Sequence, residues 1–182
     1  RGPRSTQPKV GRSKCLMGAR VSRWLLVVIT LLVVSLGVGV TAFSGVAAAD
    51  MPDTSQCSAV SWTNQTISGQ TYYEVDTLDK LQCIDDKGLG NNYVLTRDIN
   101  ASETSTWDSN NGFDPIGDKN NEFTGTFDGD DHTISGLTIN RGGTYSVGLF
   151  SEVASGGTIT NIGLEGGSVT GARRTGQLAG YN

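Results

Sequence analysis

From Tyr72 onward, apolar and polar residues alternate in runs of four to seven, and each run ends at glycine, aspartate or asparagine. A period of two over such short runs predicts half-buried β-strands. Two runs near the end resemble each other. Thr133–Ile139 (TISGLTI) is echoed by Thr158–Leu164 (TITNIGL), with Ile134 and Ile159, Leu137 and Ile162, and Ile139 and Leu164 each 25 positions apart. A fixed period with glycine corners predicts stacked coils. A single coil cannot bury its inward Ile, Leu and Phe. Set about 4.8 Å above a like coil, it pairs its backbone in parallel and lines up like residues along a common interior. The expected fold is mainly β: a right-handed parallel β-helix with three short strands per turn and a period of roughly 23–28 residues. A β-sandwich is the competing arrangement, but it would use two-residue hairpin turns, and these corners are longer.

Ahead of the repeats, Tyr72–Val75 reads as a strand. Leu78, Leu81 and Ile84 then fall on one face at spacing three, behind Asp76 or Thr77 as N-cap, which predicts one short amphipathic helix ended by Gly88 and Gly90. Tyr93–Ile99 predicts a strand with Tyr93, Leu95 and Ile99 inward. A polar loop runs from Asn100 to Pro115, and Phe123–Phe127 alternates again. Asp128-Gly129-Asp130-Asp131 predicts a corner in which Asp-Gly supplies the positive φ. Arg141-Gly142-Gly143 and Gly156-Gly157 read as separators. Val169 and Leu178 read as the start of a further coil, with Asn182 inside a repeat, so the chain is expected to be part of something longer.

The first third has another composition. Trp24–Phe43 is an uncharged apolar run behind Arg20 and Arg23, and Ala47-Ala48-Ala49 follows it. Basic flank, apolar stretch and small-residue exit predict an export signal over 17–49, cleaved between Ala49 and Asp50. An uncleaved membrane anchor is the alternative, since twenty apolar residues can span a bilayer. Met17 is a natural start for such a signal, which leaves 1–16, with Cys15, as upstream sequence.

From Asp50 there are seven basic residues against eighteen acidic ones, a net charge near −11. That field repels nucleic acid and anionic lipid, leaving contact with a membrane only through residues 24–43. It also suits a salt-rich medium, although a plain acidic exterior is the simpler explanation. Cys57 and Cys83 are expected to pair in an exported protein, closing a loop worth roughly 3 kcal/mol in the chain-entropy model. Asn64 and Asn100 head glycosylation sequons.

Catalytic and cofactor chemistry finds little to use. His132 is the sole histidine, so neither HExxH nor a multi-histidine metal site can be built, and no nucleophile motif adjoins it. Asp128, Asp130 and Asp131 are weak calcium candidates without the ligand alternation of a calcium loop. Glu103, Asp108 and Asp114 lie near Trp107 and Phe113 and could serve a sugar, but glycoside cleavage requires a carboxylate separation that spacing alone does not supply. Trp107 is expected to cap the first coil instead. No cofactor is expected.

The series Val147-Gly148-Leu149-Phe150-Ser151, Gly156–Leu164, Gly167–Gly171 and Gly176–Gly180 resembles the GLUG-motif family of secreted and cell-surface repeat proteins. Its G-x-L-x-G motif falls on Gly176, Leu178 and Gly180, and Ser151 stands where glycine is usual. YVLTRDIN at 93–100, DPIG at 114–117 and FTGTFD at 123–128 resemble the lead-in to such repeats, so the likeness covers about 72–182. It implies a β-solenoid of adhesin-like or haemagglutinin-like proteins with no catalytic residues. The expected division is upstream sequence (1–16), signal (17–49), polar lead-in (50–71), entry and cap (72–122) and repeats (123–182). The expected role is a non-catalytic exported surface module for adhesion or structural display, facing a polysaccharide or protein ligand and continuing repeats of its own chain. The alternative is an accessory segment of a secreted hydrolase whose catalytic domain lies elsewhere.

Overall fold

A computed structural model describes residues 54–182, all within the compact unit Val46–Asn182. The signal at 17–49, its Ala49/Asp50 junction and Cys15 lie outside the described residues. No helix among the described residues is long and apolar enough to cross a membrane.

The chain enters through a short helix, α1 (Thr54–Cys57), and an antiparallel hairpin of β1 (Asn64–Ile67) and β2 (Gln70–Val75). Ser68 and Gly69 turn it with φ of 51° and 81°, the left-handed values a tight hairpin demands. Thr77 then caps α2 (Leu78–Gln82), its hydroxyl accepting from the Lys80 N–H at 3.2 Å. The single expected helix is divided: α3 (Ile84–Lys87) follows after a break at Cys83, which is bonded to Cys57. Leu78, Leu81 and Ile84 are buried as their spacing predicts, and Gly88 closes α3.

Beyond Gly88 the strand pairing is parallel. One pass of the chain holds β3 (Asn92–Leu95) and β4 (Ile99–Asn100), and returns through 3₁₀ turns at Ser102–Thr106 and Asp108–Asn110 to Ile116. The next pass holds β5 (Thr126–Asp128), β6 (Thr133–Ser135), β7 (Thr138–Val147) and β8 (Phe150–Glu152). The last holds β9 (Thr158–Thr160), β10 (Gly163–Glu165), β11 (Ser168–Thr175) and β12 (Ala179–Tyr181). They form four sheets, ordered β1-β2-β3-β5-β9, β4-β6-β10, β7-β11 and β8-β12. The fold is mainly β, with four strands in each of the last two passes rather than three.

The register corrects the 25-residue period. Ile134 pairs with Leu164 and Ile139 with Val169, each 30 positions on, while Ile159 pairs with Phe127. The Thr-Ile starts of the two copies, in β6 and β9, therefore lie in different sheets, and Ile134 of the first copy shares its sheet with Leu164 of the second. They resemble each other because every inward strand makes the same demand: one aliphatic flanked by small polar residues. Arg141-Gly142-Gly143 is no separator either, since it runs through the middle of β7. Val169 and Leu178 belong to the last described pass rather than opening a new one.

Residues of successive passes form columns. Tyr93, Phe127 and Ile159 make one, Ile99, Ile134 and Leu164 another, and Ile116, Phe150 and Ala179 a third. In each, the first two members are fully buried and the last is half-buried. Aromatics fill the interior, with Phe150 4.9 Å from Phe123 and 5.4 Å from Phe127 between ring centroids. Each fully buried side chain of this size contributes about 1.5–3 kcal/mol. Trp107 and Phe113 both belong to this core, and among the described residues no acceptor reaches the Trp107 indole N–H.

Candidate functional site

Side chains at the corners tie one pass to the next. Asn92 Oδ1 accepts from the Thr126 N–H at 3.2 Å, Thr104 Oγ1 from the Thr138 N–H at 2.9 Å, and Asp98 Oδ1 from the Thr133 N–H at 2.9 Å. The bond from Thr133 holds the exposed Asp98 carboxyl below its usual range, helped by His132 Nδ1 at 3.3 Å. His132 thus serves a corner, as its surroundings in the sequence suggest. Asp128 belongs to the same class: its Oδ1 accepts from the Asp130 N–H and from Asn161 Nδ2 of the next pass.

Among the described residues, no group of three or more His, Cys, Asp or Glu side chains is arranged to hold a metal. Asp128, Asp130 and Asp131 instead build the turn, and the structure corrects how. Positive φ falls on Asp130 (45°) and Asp131 (62°), not on Gly129. Gly129 is required for proximity, because a Cβ there would run into the carbonyl of Asn161.

The loop proposed for sugar chemistry is braced from two sides. Arg141 reaches Asp108 Oδ2 at 3.3 Å and Asp114 Oδ1 at 3.1 Å, while Glu103 lies exposed on the first 3₁₀ turn. Gln82 donates to the Asp114 carbonyl at 3.1 Å and accepts the Asp114 N–H at 3.0 Å, a side-chain imitation of a strand pair. Asp85 Oδ1 accepts the Gly117 N–H at 3.0 Å. Although the Asp85 side chain has an exposed edge, surrounding protein pushes its carboxyl up to about 6, with Asp114, Asp86 and Asp118 adding repulsion. Although more than half of the Asp114 side chain is exposed, desolvation by the protein around it also raises its carboxyl, more than Arg141 draws it down.

The expected bridge is present: Cys57 and Cys83 are bonded, with Cα atoms 5.4 Å apart. Beside it, Val60, Trp62, Asp86 and Lys87 help enclose an open groove of about 350 Å³. Lys87 lies 3.9 Å from the Tyr73 ring centroid and 5.8 Å from that of Trp62. Asn64 is exposed on β1, and Asn100 is exposed with its Oδ1 accepting the Ser102 N–H at 3.0 Å.

The two glycines of G-x-L-x-G stand where a Cβ has no room, Gly176 within its own turn and Gly180 against the preceding pass, while Leu178 is exposed. A Cβ on Gly176 would strike the Ala179 carbonyl, and one on Gly180 would strike the Ser146 and Val147 backbone. Gly148, one pass earlier, is likewise close to the Gly176 carbonyl, 2.7 Å from where its Cβ would stand. Ser151, the departure from the glycine pattern, is buried and donates through Oγ to the Ser146 carbonyl at 2.7 Å. That bond buttresses Ser146, whose φ is 56°.

This buttressed backbone carries four exposed side chains that the sequence reading passed over. Arg173 lies over the ring of Tyr145 at 5.8 Å, and Arg174 over that of Tyr181 at 4.6 Å. The rings are 60% and 47% exposed. A signal for them was available, since Arg173-Arg174 is the one adjacent pair of cations in the acidic part of the chain.

No protein-family profile matches the chain, so the GLUG resemblance rests on the residues quoted for it. No solved structure matches significantly. The chain is similar to Halomucin of Haloquadratum walsbyi, 46% identical over 115 residues, which cover 59% of this chain and 1% of that protein. It is also similar to a protein of Evansella cellulosilytica named as a Gly-rich membrane protein, 35% identical over 84 residues, 46% of this chain and 10% of that one. The chain thus spans a small fraction of either relative.

Proposed function

We propose that this chain is a non-catalytic module at the cell surface for adhesion or structural display, built as a right-handed parallel β-helix of GLUG-type repeats. The observation that carries the reading is the parallel register of successive passes about 30 residues apart, closed at one side by an antiparallel hairpin and a disulfide. Such a fold is held by its own columns and leaves its outer face free for contact. The disulfide suits an oxidising compartment, as does the export signal expected at 17–49. Relatives named Halomucin and Gly-rich membrane protein support a surface setting, and the first name, with its acidic counterpart here, supports a salt-rich one.

The last strand in every sheet order, β9, β10, β11 or β12, has one edge that pairs with no strand among the described residues, with half-buried Ile159, Leu164, Val169 and Ala179 along it. Open edges of this kind are hazards unless covered. We assign their cover to continuing repeats of the same polypeptide, in keeping with the greater length of both relatives.

The test is an array of cell-wall and host polysaccharides probed with the full-length protein, together with turnover assays on the same panel. Saturable binding without turnover supports the reading. Turnover without retained binding overturns it in favour of a hydrolase.

A further inference from the structure

The geometry points to a binding site for a carboxylated polysaccharide, formed by Arg173 and Arg174 with Tyr145 and Tyr181. The proposal rests on the surface-display reading and names the ligand class that such a surface would take. In a segment with net charge near −11, most charges repel a polyanion. Of the other five cations three are engaged: Lys80 pairs with Asp76 at 2.8 Å, Arg141 with Asp108 and Asp114, and Lys87 lies over Tyr73, while Arg97 and Lys119 are exposed single charges with no ring beneath them among the described residues. Arg173 and Arg174 pair with no carboxylate among the described residues, and both point over tyrosine rings. Tyr181 follows Gly180, whose backbone abuts that of Ser146 next to Tyr145, so the two ring–guanidinium pairs are carried by touching stretches of backbone.

Three features make this a built surface rather than two loose side chains. Tyr145 and Arg173 are register partners on neighbouring strands, so their spacing is set by the sheet. Arg174 and Ser146 hold positive φ, 51° and 56°, and backbone strain of that kind persists only where surrounding structure enforces it. Ser151 supplies part of the enforcement through its bond to Ser146, and Gly180 admits Tyr181 beside the same backbone.

The chemistry selects the ligand. A guanidinium meets a carboxylate with two parallel hydrogen bonds, and stacking on a ring holds its fork in one plane. The outer ring faces suit the C–H surface of a sugar. A repeating uronate offers both groups at every unit. Its binding also survives salt better than long-range attraction would, because at molar salt the screening length falls to about 3 Å and only direct contacts remain.

The experiment measures binding of the full-length protein to oligomeric alginate, neutral dextran and polyglutamate, at low and at molar salt. The expected result is binding to alginate in both, weak or no binding to dextran, and about tenfold or greater loss in Arg173→Ala/Arg174→Ala, a change of about 1.4 kcal/mol. Arg173→Lys/Arg174→Lys is expected to lose part of the affinity, chiefly at molar salt, because the charge stays while the fork is gone. Unchanged melting of the exposed-residue variants verifies that the fold is intact. Equal alginate binding by wild type and the Ala variant overturns the proposal, as does capture of polyglutamate without alginate. A chain found inside intact cells would sink the surface reading instead, while leaving the alginate titration to judge this site separately.

Discussion

Gly180 lies against the backbone of Ser146 so closely that a methyl group on its Cα would occupy the space of the Ser146 carbonyl carbon. Two consecutive passes of the chain touch there, backbone to backbone, with the Ser151 hydroxyl holding the Ser146 carbonyl from the other side. Gly180→Ala must therefore push β12 away from the end of β7 or distort Ser146. The expected cost is about 1–3 kcal/mol, the range for overpacking a tight site, measured by denaturant unfolding. Gly142, which has open space where its Cβ would stand, is the control and should tolerate alanine. Equal responses at the two positions would refute the close-approach account.

Leu149 and Leu178 occupy equivalent places on neighbouring passes, since Phe150 pairs with Ala179, yet one is 0% exposed and the other 36%. Leu149→Ala is expected to cost about 2–5 kcal/mol and Leu178→Ala under about 1.5. Similar losses would show that the last pass is already covered in the protein under test. A larger loss at Leu178 would contradict the column arrangement.

Reducing the Cys57–Cys83 bridge, or replacing both residues with serine, should lower stability by about 3 kcal/mol. Hydrogen exchange should locate the loosening in α1, α2, α3 and the β1–β2 hairpin, with the amides of β6 and β7 still protected. Uniform loss of protection across all sheets would mean that the bridge, rather than the columns, holds the repeats.

Asp85 gives a pH dependence of definite sign. Burial raises its carboxyl from an ordinary 3.8 to about 6, so the folded chain binds the proton more tightly than the unfolded chain. Stability attributable to Asp85 therefore falls as pH rises from about 4 to 6 and is constant above. Asp98 and Asp118, lowered by hydrogen bonds, act oppositely: their contribution is present above the ordinary value and lost as pH falls below it. Asp85→Asn keeps an acceptor for the Gly117 N–H and removes the partly desolvated charge. It should be more stable than wild type by about 1 kcal/mol at pH 8, after allowance for the exposed edge of the side chain, with the difference vanishing below about pH 4. Parallel thermal melts that never diverge would disprove the assignment.

The strand class, the Thr77-capped helix, the inward residues Tyr93, Leu95 and Ile99 and the Cys57–Cys83 pair were all legible in the sequence, because each follows from local spacing or from redox chemistry. Register was not. Ile134 and Ile159 have the same flanks because inward strands of different sheets are chemically alike, and only the lengths of the intervening corners decide which pairs with which. The 25-residue spacing runs from β6 to β9, short of a full pass, whereas the paired residues Ile134 and Leu164 are 30 apart and Phe127 and Ile159 are 32 apart. The division of Asp128–Asp131 between positive φ and close approach was also hidden, since Gly129 could have served either purpose. Arg173 and Arg174 escaped notice because their significance lies in what they do not pair with, which requires the surrounding carboxylates to be placed.

The central claim is presentation at the cell surface. Intact cells treated with a membrane-impermeant amine reagent, followed by mass spectrometry of this protein, test it directly through Lys119, which is exposed and bound to no carboxylate among the described residues. The account predicts that Lys119 is labelled on intact cells as fully as after lysis, with a cytoplasmic control protein unlabelled. Labelling of Lys119 only after lysis would contradict it.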